Sequence, residues 1–178
     1  MARDYVEFPS QVLERWLETP EVLAKFAAHH RTGKAMPREL IAKVLRASQF
    51  NQGYWTVEYL APAIVDMKAH LAGGREIEPA AFEKEALAAL GMPREIAMRH
   101  RLPHFSHVFS GDSYSAGYYS YLWAEVLSAD AYEAFREGKG PFDKDVAARL
   151  LRHVFSKGDT VDPAEAYRAF RGRDPDTA

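Results

Sequence analysis

The stretch Gly111-Asp112-Ser113-Tyr114-Ser115-Ala116-Gly117-Tyr118-Tyr119-Ser120-Tyr121 carries four tyrosines. At about 100° per residue on a helix, Tyr114, Tyr118 and Tyr121 fall within about 40° of one line. Two chemistries fit this pattern. A tyrosine stripe packs as core, with each hydroxyl finding a partner at the edge. Phenols on a Gly/Ser loop and on the helix behind it also donate hydrogen bonds to a developing oxyanion and close over a ligand. The residues themselves leave both readings open. Just upstream, His100, His104 and His107 stand at i, i+4 and i+7, a spacing that binds zinc on an unbroken helix. Pro103 breaks that helix, and Arg99 and Arg101 disfavour a cation beside His100, so the three read as independent residues. Near the N-terminus, Glu7 lies between Val6 and Phe8, just before Pro9. An acid beside a helix start commonly does no more than favour the local dipole.

The elements that must hold these residues are helical. From Pro9, Val12, Leu13, Trp16 and Leu17 recur at spacings of three and four. Thr19-Pro20 predicts an N-cap and first helical position, and Val22, Leu23, Phe26 and Ala27 carry that helix to about His30. Pro37 opens a third helix through Leu40, Ile41, Val44 and Leu45. A longer one follows Asn51-Gln52-Gly53, with Trp55, Tyr59, Leu60, Ile64, Met67 and Leu71 inward and Pro62 as a kink or boundary. Glu78-Pro79 starts a helix to Leu90, and Pro93 another to about His100. The segment 104–117 is the least regular. Helix returns from about Gly117 to Arg136 and from Asp143 to Ser156, and Asp162-Pro163 begins the last one. No strand pattern is visible. The expected fold is all-α, an irregular multi-helix domain of roughly seven to nine helices occupying residues 1–178 as one domain.

Composition narrows the function. The 178 residues are 47% apolar and 27% charged, a globular balance. Twenty-three basic against 25 acidic residues give a net charge of −2. That leaves no basic excess for a phosphate backbone, so no nucleic-acid partner is expected. The absence of cysteine excludes disulfides, thiolate metal sites and cysteine nucleophiles. A metal here must be held by His, Asp or Glu. No run of about 18 apolar residues is present, so no membrane partner is expected, and a cytoplasmic location is.

Several separated stretches resemble one family. Asp4-Tyr5-Val6-Glu7-Phe8-Pro9-Ser10-Gln11, Phe50-Asn51-Gln52-Gly53-Tyr54, Phe105-Ser106-His107-Val108-Phe109-Ser110-Gly111-Asp112 through Tyr121-Leu122-Trp123, Phe155-Ser156-Lys157-Gly158 and Phe170-Arg171-Gly172-Arg173-Asp174-Pro175 are similar to the thimet-oligopeptidase family of zinc metallopeptidases. The bacterial peptidyl-dipeptidase and oligopeptidase A branch is nearest. The matches cover essentially the whole chain in the right order. The resemblance implies hydrolysis of short peptides at a zinc centre. There a His-Glu-x-x-His helix gives two ligands and the general base, and a later glutamate gives the third ligand. By position that glutamate is Glu7. Two imidazoles and one carboxylate leave an open coordination site, at which bound water has a pKa of about 7. The resemblance further implies Tyr121 as oxyanion donor, His107 as a transition-state and substrate-binding residue, Tyr114 as a loop tyrosine closing on the peptide, and Tyr118 as a further tyrosine of the cleft. One departure is Ser113, where that branch has glycine; a side chain there could stiffen the loop or forbid a positive φ.

The larger departure is that no His-Glu-x-x-His occurs; the adjacent pair His29-His30 lacks the spacing. In the family that helix lies shortly N-terminal to the stretch matched by Asp4–Gln11. The chain is therefore expected to be a C-terminal portion of a peptidase catalytic domain, with Met1 a start inside a longer reading frame. Alone it is expected to hold no catalytic zinc and to cleave nothing. Its expected partners are a short peptide and the missing N-terminal part of the peptidase. Apolar surface uncovered by that missing part favours a homo-oligomer. The alternative function is a non-catalytic helical module that keeps the peptide-binding wall.

Overall fold

The computed structural model describes residues 2–176. In chain order the helices are α1 (Phe8–Glu14), α2 (Pro20–Phe26), α3 (Arg38–Ala47), α4 (Gln52–Leu71), α5 (Pro79–Ala89), α6 (Ser106–Phe109), α7 (Ser120–Glu137), α8 (Lys144–Leu150) and α9 (Pro163–Arg171). Among the described residues the one β feature is an isolated antiparallel bridge between Ala28 and Ala35, so the fold is all-α as the spacing predicts. None of the described helices is long and apolar enough to cross a membrane. Contacts gather the chain into two compact units. One runs up to Phe50 and resumes from Leu122; the other is Asn51–Tyr121.

The helix starts follow the polar residue and proline pairs in the sequence. Glu78 accepts from the N–H groups of Ala80 and Ala81 at 3.1 and 2.7 Å. Asp162 accepts from those of Ala164 and Glu165 at 2.9 and 3.1 Å. In each case a carboxylate satisfies donors that the first helical turn leaves over, next to a proline that needs no partner. Asp143 does the same for α8 and also takes the Lys139 N–H at 2.8 Å, which holds its carboxyl below the usual carboxylate range. Thr19 occupies the N-cap position of α2, but its hydroxyl donates back to the Trp16 carbonyl at 2.8 Å instead of capping.

The first unit packs α1, α7, α8 and α9 around Phe8, Val12, Leu127, Phe135, Leu150 and Tyr167. Phe8 is fully buried, with its ring 5.2 Å from Tyr5 and 5.7 Å from Tyr167. Burial pushes the Tyr5 hydroxyl up to about 12. At Arg15 the chain tightens to a 3-10 turn, Arg15–Glu18, which changes the angular phase. Trp16 stays on the core, edge-on to Tyr132 and Phe135, while the expected inward residues Leu13 and Leu17 are exposed. α2 stops at Phe26 short of His30. There the His29 N–H bonds to the Lys34 carbonyl at 2.8 Å across a tight turn in which Gly33 has φ +67°.

The second unit departs more from expectation. α4 runs through Pro62 and buries its small residues: Ala61, Val65 and Ala69 pack against Ala86 of α5, Met98 and Leu102, and Ala63 packs against Phe105 and Val108. The expected inward residues Trp55 and Leu71 are 49% and 78% exposed. Small side chains let neighbouring backbones approach closely, and that decides the buried face over bulk hydrophobicity. No helix forms from Pro93 to His100; a turn closed by Ile96 N–H to Pro93 O stands there. Ile96 and Met98 are two residues apart, so no single helix face could bury both.

Phe8→Ala removes a ring with no water contact from the middle of the first core. We expect a loss of about 3–5 kcal/mol in stability, measured by urea unfolding followed at the tryptophans.

Candidate functional site

The site lies in the second unit and is built by a short irregular path. A 3-10 turn, Leu102–His104, follows Pro103's constraint, and α6 then makes one helical turn. Phe105 and Val108 are buried and anchor this turn, which leaves His107 on its exposed side. The chain returns through the Gly/Ser loop and delivers Tyr121 in the first turn of α7.

His107 Nε2 lies 2.8 Å from the Tyr121 hydroxyl. The Tyr114 ring stacks on Tyr121 at 5.6 Å with 8° between planes and stands 4.6 Å from the His107 ring. Three of the sequence candidates therefore form one polar aromatic group, with His107 exposed and both phenols half-buried. Tyr118 is placed differently. It is 6% exposed, edge-on to His107 and Tyr121 at 5.6 and 5.5 Å, and stacked on Tyr59 at 5.2 Å. Its carbonyl accepts from the Tyr59 hydroxyl at 2.7 Å, and Arg99, paired to Glu58 at 3.1 Å, hydrogen-bonds its own hydroxyl. Burial raises the Tyr118 pKa; Arg99 works against that rise. The two readings of the tyrosine stripe thus divide by residue: Tyr118 is core, and Tyr114 and Tyr121 present hydroxyls beside a histidine.

The loop reverses sharply. Gly117 N–H bonds to the Tyr114 carbonyl at 2.8 Å, and Ala116 takes the left-handed conformation at φ +54°. Among the described residues the non-glycine positions with positive φ are Asn51 and Ala116, so Ser113 sits at ordinary φ and its side chain causes no backbone strain.

The three histidines occupy separate environments. His100 stacks on Phe105 at 4.8 Å and meets the Tyr118 edge at 5.7 Å, while His104 is exposed. Burial, then the charges of Arg99 and His107, lower the His100 pKa from its ordinary value; Glu58 opposes them. Glu7 belongs to the first unit. It is half-buried at the N-cap position of α1, where the Ser10 hydroxyl donates to its carbonyl at 2.9 Å. Among the described residues no three His, Asp or Glu side chains gather closely enough to hold a metal ion. The residues present therefore do not by themselves fit the three-ligand zinc centre that the resemblance implies.

Sequence reasoning placed Tyr59 inward and Arg99 beside His100 but assigned neither to the site, and it did not single out Asp66. Asp66 carried a signal, a lone acid in the apolar run Ile64-Val65-Asp66-Met67 of a helix. It is fully buried and accepts backbone N–H groups of the tyrosine loop.

The chain belongs to Peptidase family M3, whose profile matches residues 1–178. It is 40% identical over 176 residues to the dipeptidyl carboxypeptidase of Escherichia coli, a match covering 97% of this chain and 26% of that protein. It is 37% identical over 178 residues to the oligopeptidase A of the same organism, covering 97% and 25%. Saccharolysin of Saccharomyces cerevisiae is 29% identical over 178 residues, covering 97% and 24%. The family and the bacterial branch read from the motifs are thereby established. The chain spans about a quarter of the length of the curated relatives it matches.

The His100 shift has a sign that can be tested. With its folded pKa below the ordinary value near 6.5, the unfolded chain takes the proton more readily. The stability His100 contributes is complete above that value and is lost as pH falls through it toward the lower folded pKa. His100→Phe keeps the stack on Phe105 and removes the titration. The drop in unfolding midpoint between pH 7.5 and 5.5, measured in urea, is expected to be smaller in the variant.

Proposed function

We propose that this chain forms the substrate-facing wall of a peptidase acting on short peptides. The observation that carries the reading is the 2.8 Å contact between His107 Nε2 and the Tyr121 hydroxyl, with Tyr114 stacked on the same phenol. In the tautomer with its proton on Nε2, His107 donates to the Tyr121 oxygen. The phenol's own hydrogen then points to the oxygen of the scissile carbonyl, and the bond from His107 makes it a stronger donor. Tyr121 thus stabilises the charge that develops on that oxygen. Tyr114 lies on the Gly/Ser loop against both groups and covers the bound peptide, which excludes water. Tyr118 supports His107 and Tyr121 from the core side of the cleft.

In this reading Glu7 would supply one carboxylate to the family's zinc. A single carboxylate does not hold zinc at useful affinity, so the remaining ligands and the general base would have to be supplied by another polypeptide segment. We expect the isolated chain to retain no stoichiometric zinc after dialysis and to leave a short fluorogenic peptide uncut. Mixed with the N-terminal three quarters of a bacterial oligopeptidase A, it is expected to hydrolyse that peptide, and Tyr121→Phe is expected to lower kcat by about 10²–10³-fold. Equal turnover by the Tyr121→Phe chain would remove the proposed role. Peptide capture without turnover in the mixture would instead favour a non-catalytic peptide-binding module.

We also propose that the isolated chain self-associates. Leu17, Phe26, Phe50 and Leu71 are 63%, 69%, 70% and 78% exposed, apolar side chains that association would cover. Light scattering on the eluting protein is expected to give a mass above 20.1 kDa. A monomer at high concentration counts against this.

A further inference from the structure

We infer that Asp66 and His70 are positioning residues that set the geometry of the His107–Tyr121 pair. The inference rests on the proposed role of that pair, although its structural core can be tested without any peptide.

Asp66 is fully buried inside α4. Its two carboxylate oxygens are divided between two ends of one turn: Oδ1 accepts the Ala116 N–H at 3.1 Å, and Oδ2 accepts the Tyr118 N–H at 3.0 Å. These residues flank Gly117, and Ala116 holds a left-handed φ that an alanine rarely adopts unaided. The carboxylate thus stabilises a backbone conformation that local preference resists. That conformation places Tyr114 on one side of the turn and Tyr118 and Tyr121 on the other.

His70, one helical turn along α4, completes the clamp. Its Nδ1 lies 2.8 Å from Asp66 Oδ1 and 3.0 Å from the Asp66 carbonyl. Both neighbours are acceptors, so Nδ1 carries the proton and donates to them. The other side of the same ring stacks on Phe109 at 5.2 Å with 18° between planes. Phe109 closes α6, the turn that carries His107. One residue pair on a long rigid helix therefore touches both halves of the site: the carboxylate fixes the tyrosine turn, and the imidazole fixes the histidine turn. Asp66 holds the loop backbone at Ala116 and Tyr118, and His70 holds Phe109, so each acts on the His107–Tyr121 pair through the segment that carries it.

The test uses the whole 178-residue chain, without metal or peptide. Asp66→Asn keeps the shape but puts an amide NH2 against one of the two backbone donors. We expect the Ala116 and Tyr118 amides to exchange with deuterium at least about tenfold faster, while the Val65 and Ala69 amides of α4 keep their protection. We also expect the His107 ring nitrogen resonances, which report the bond to Tyr121, to move toward those of the Tyr121→Phe chain. His70→Gln retains a side-chain N–H donor but removes the ring against Phe109. It is expected to keep the loop amides protected and still shift the His107 resonances. If Asp66→Asn fails to fold, His70→Gln decides the question alone. Unchanged His107 resonances in a folded Asp66→Asn or His70→Gln chain overturn the inference. In the complemented hydrolysis mixture, both variants are expected to lower kcat about tenfold or more with KM little changed. Altered resonances with no hydrolysis even by the unmodified chain would count against the peptidase reading and leave the positioning role standing.

Discussion

A carboxylate removed from water has to be met by donors, and wherever it is met it fixes whatever carries them. Asp66 is such a group. Its donors are backbone N–H groups of a loop about fifty positions later in the chain, together with the ring of His70. Satisfying this one charge orders the segment that holds the tyrosines. The aromatic packing around Tyr118 then fills the space so defined, with Tyr59, Phe105, His100 and His107 in contact with a single ring. The polar contact sets the register and the rings set the rigidity. The proposed role of Tyr121 needs both, because a hydroxyl misplaced by an ångström would stabilise little charge.

The same principle organises the first unit. Asp130 is buried and takes the Tyr167 hydroxyl at 2.6 Å, the Arg173 guanidinium at 2.5 Å and Arg171 Nε at 3.3 Å. Arg171 reaches on to Glu137 at 2.5 Å. Burial and the bond to Asp130 drive the Tyr167 hydroxyl far above its ordinary range, so it serves purely as a neutral donor. This network ties the final helix to α7, whose first turn supplies Tyr121. The Arg15–Glu125 ion pair fastens the early part of the chain to the same helix. In both units the acid that does the fastening comes from an apolar helix face, where it is costly unless fully partnered.

The sequence was informative wherever local chemistry decided the outcome. Proline after an acid or a threonine marked the starts of α2, α5 and α9, because a fixed φ, with a carboxylate cap at α5 and α9, is a property of adjacent residues. His107, Tyr114 and Tyr121 were legible as a group through their matches to a known family, and the structure brings them together. What escaped was settled by distant partners. α4 has large residues on one face and alanines on another, and periodicity favoured the large ones. The buried face is the alanine face because α5 and the tyrosine segment must come close. Asp66 stands as a lone acid in an apolar run, but its role did not show for the same reason: its partners lie some fifty positions away and are backbone groups, which leave no trace in side-chain spacing. The stretch after Pro93 looked helical from its opening proline alone, and no apolar face existed to sustain the helix.

Gly117 shows how finely this arrangement is adjusted. A Cβ built there would stand 3.2 Å from the Tyr114 carbonyl oxygen and 3.3 Å from its carbonyl carbon. Any larger residue at this position must push that strand of the loop outward by a few tenths of an ångström. The position therefore acts as a spacer that sets how closely the Tyr114 backbone approaches the following turn. A side chain at this position would displace the backbone that carries Tyr114 relative to the turn that carries Tyr118.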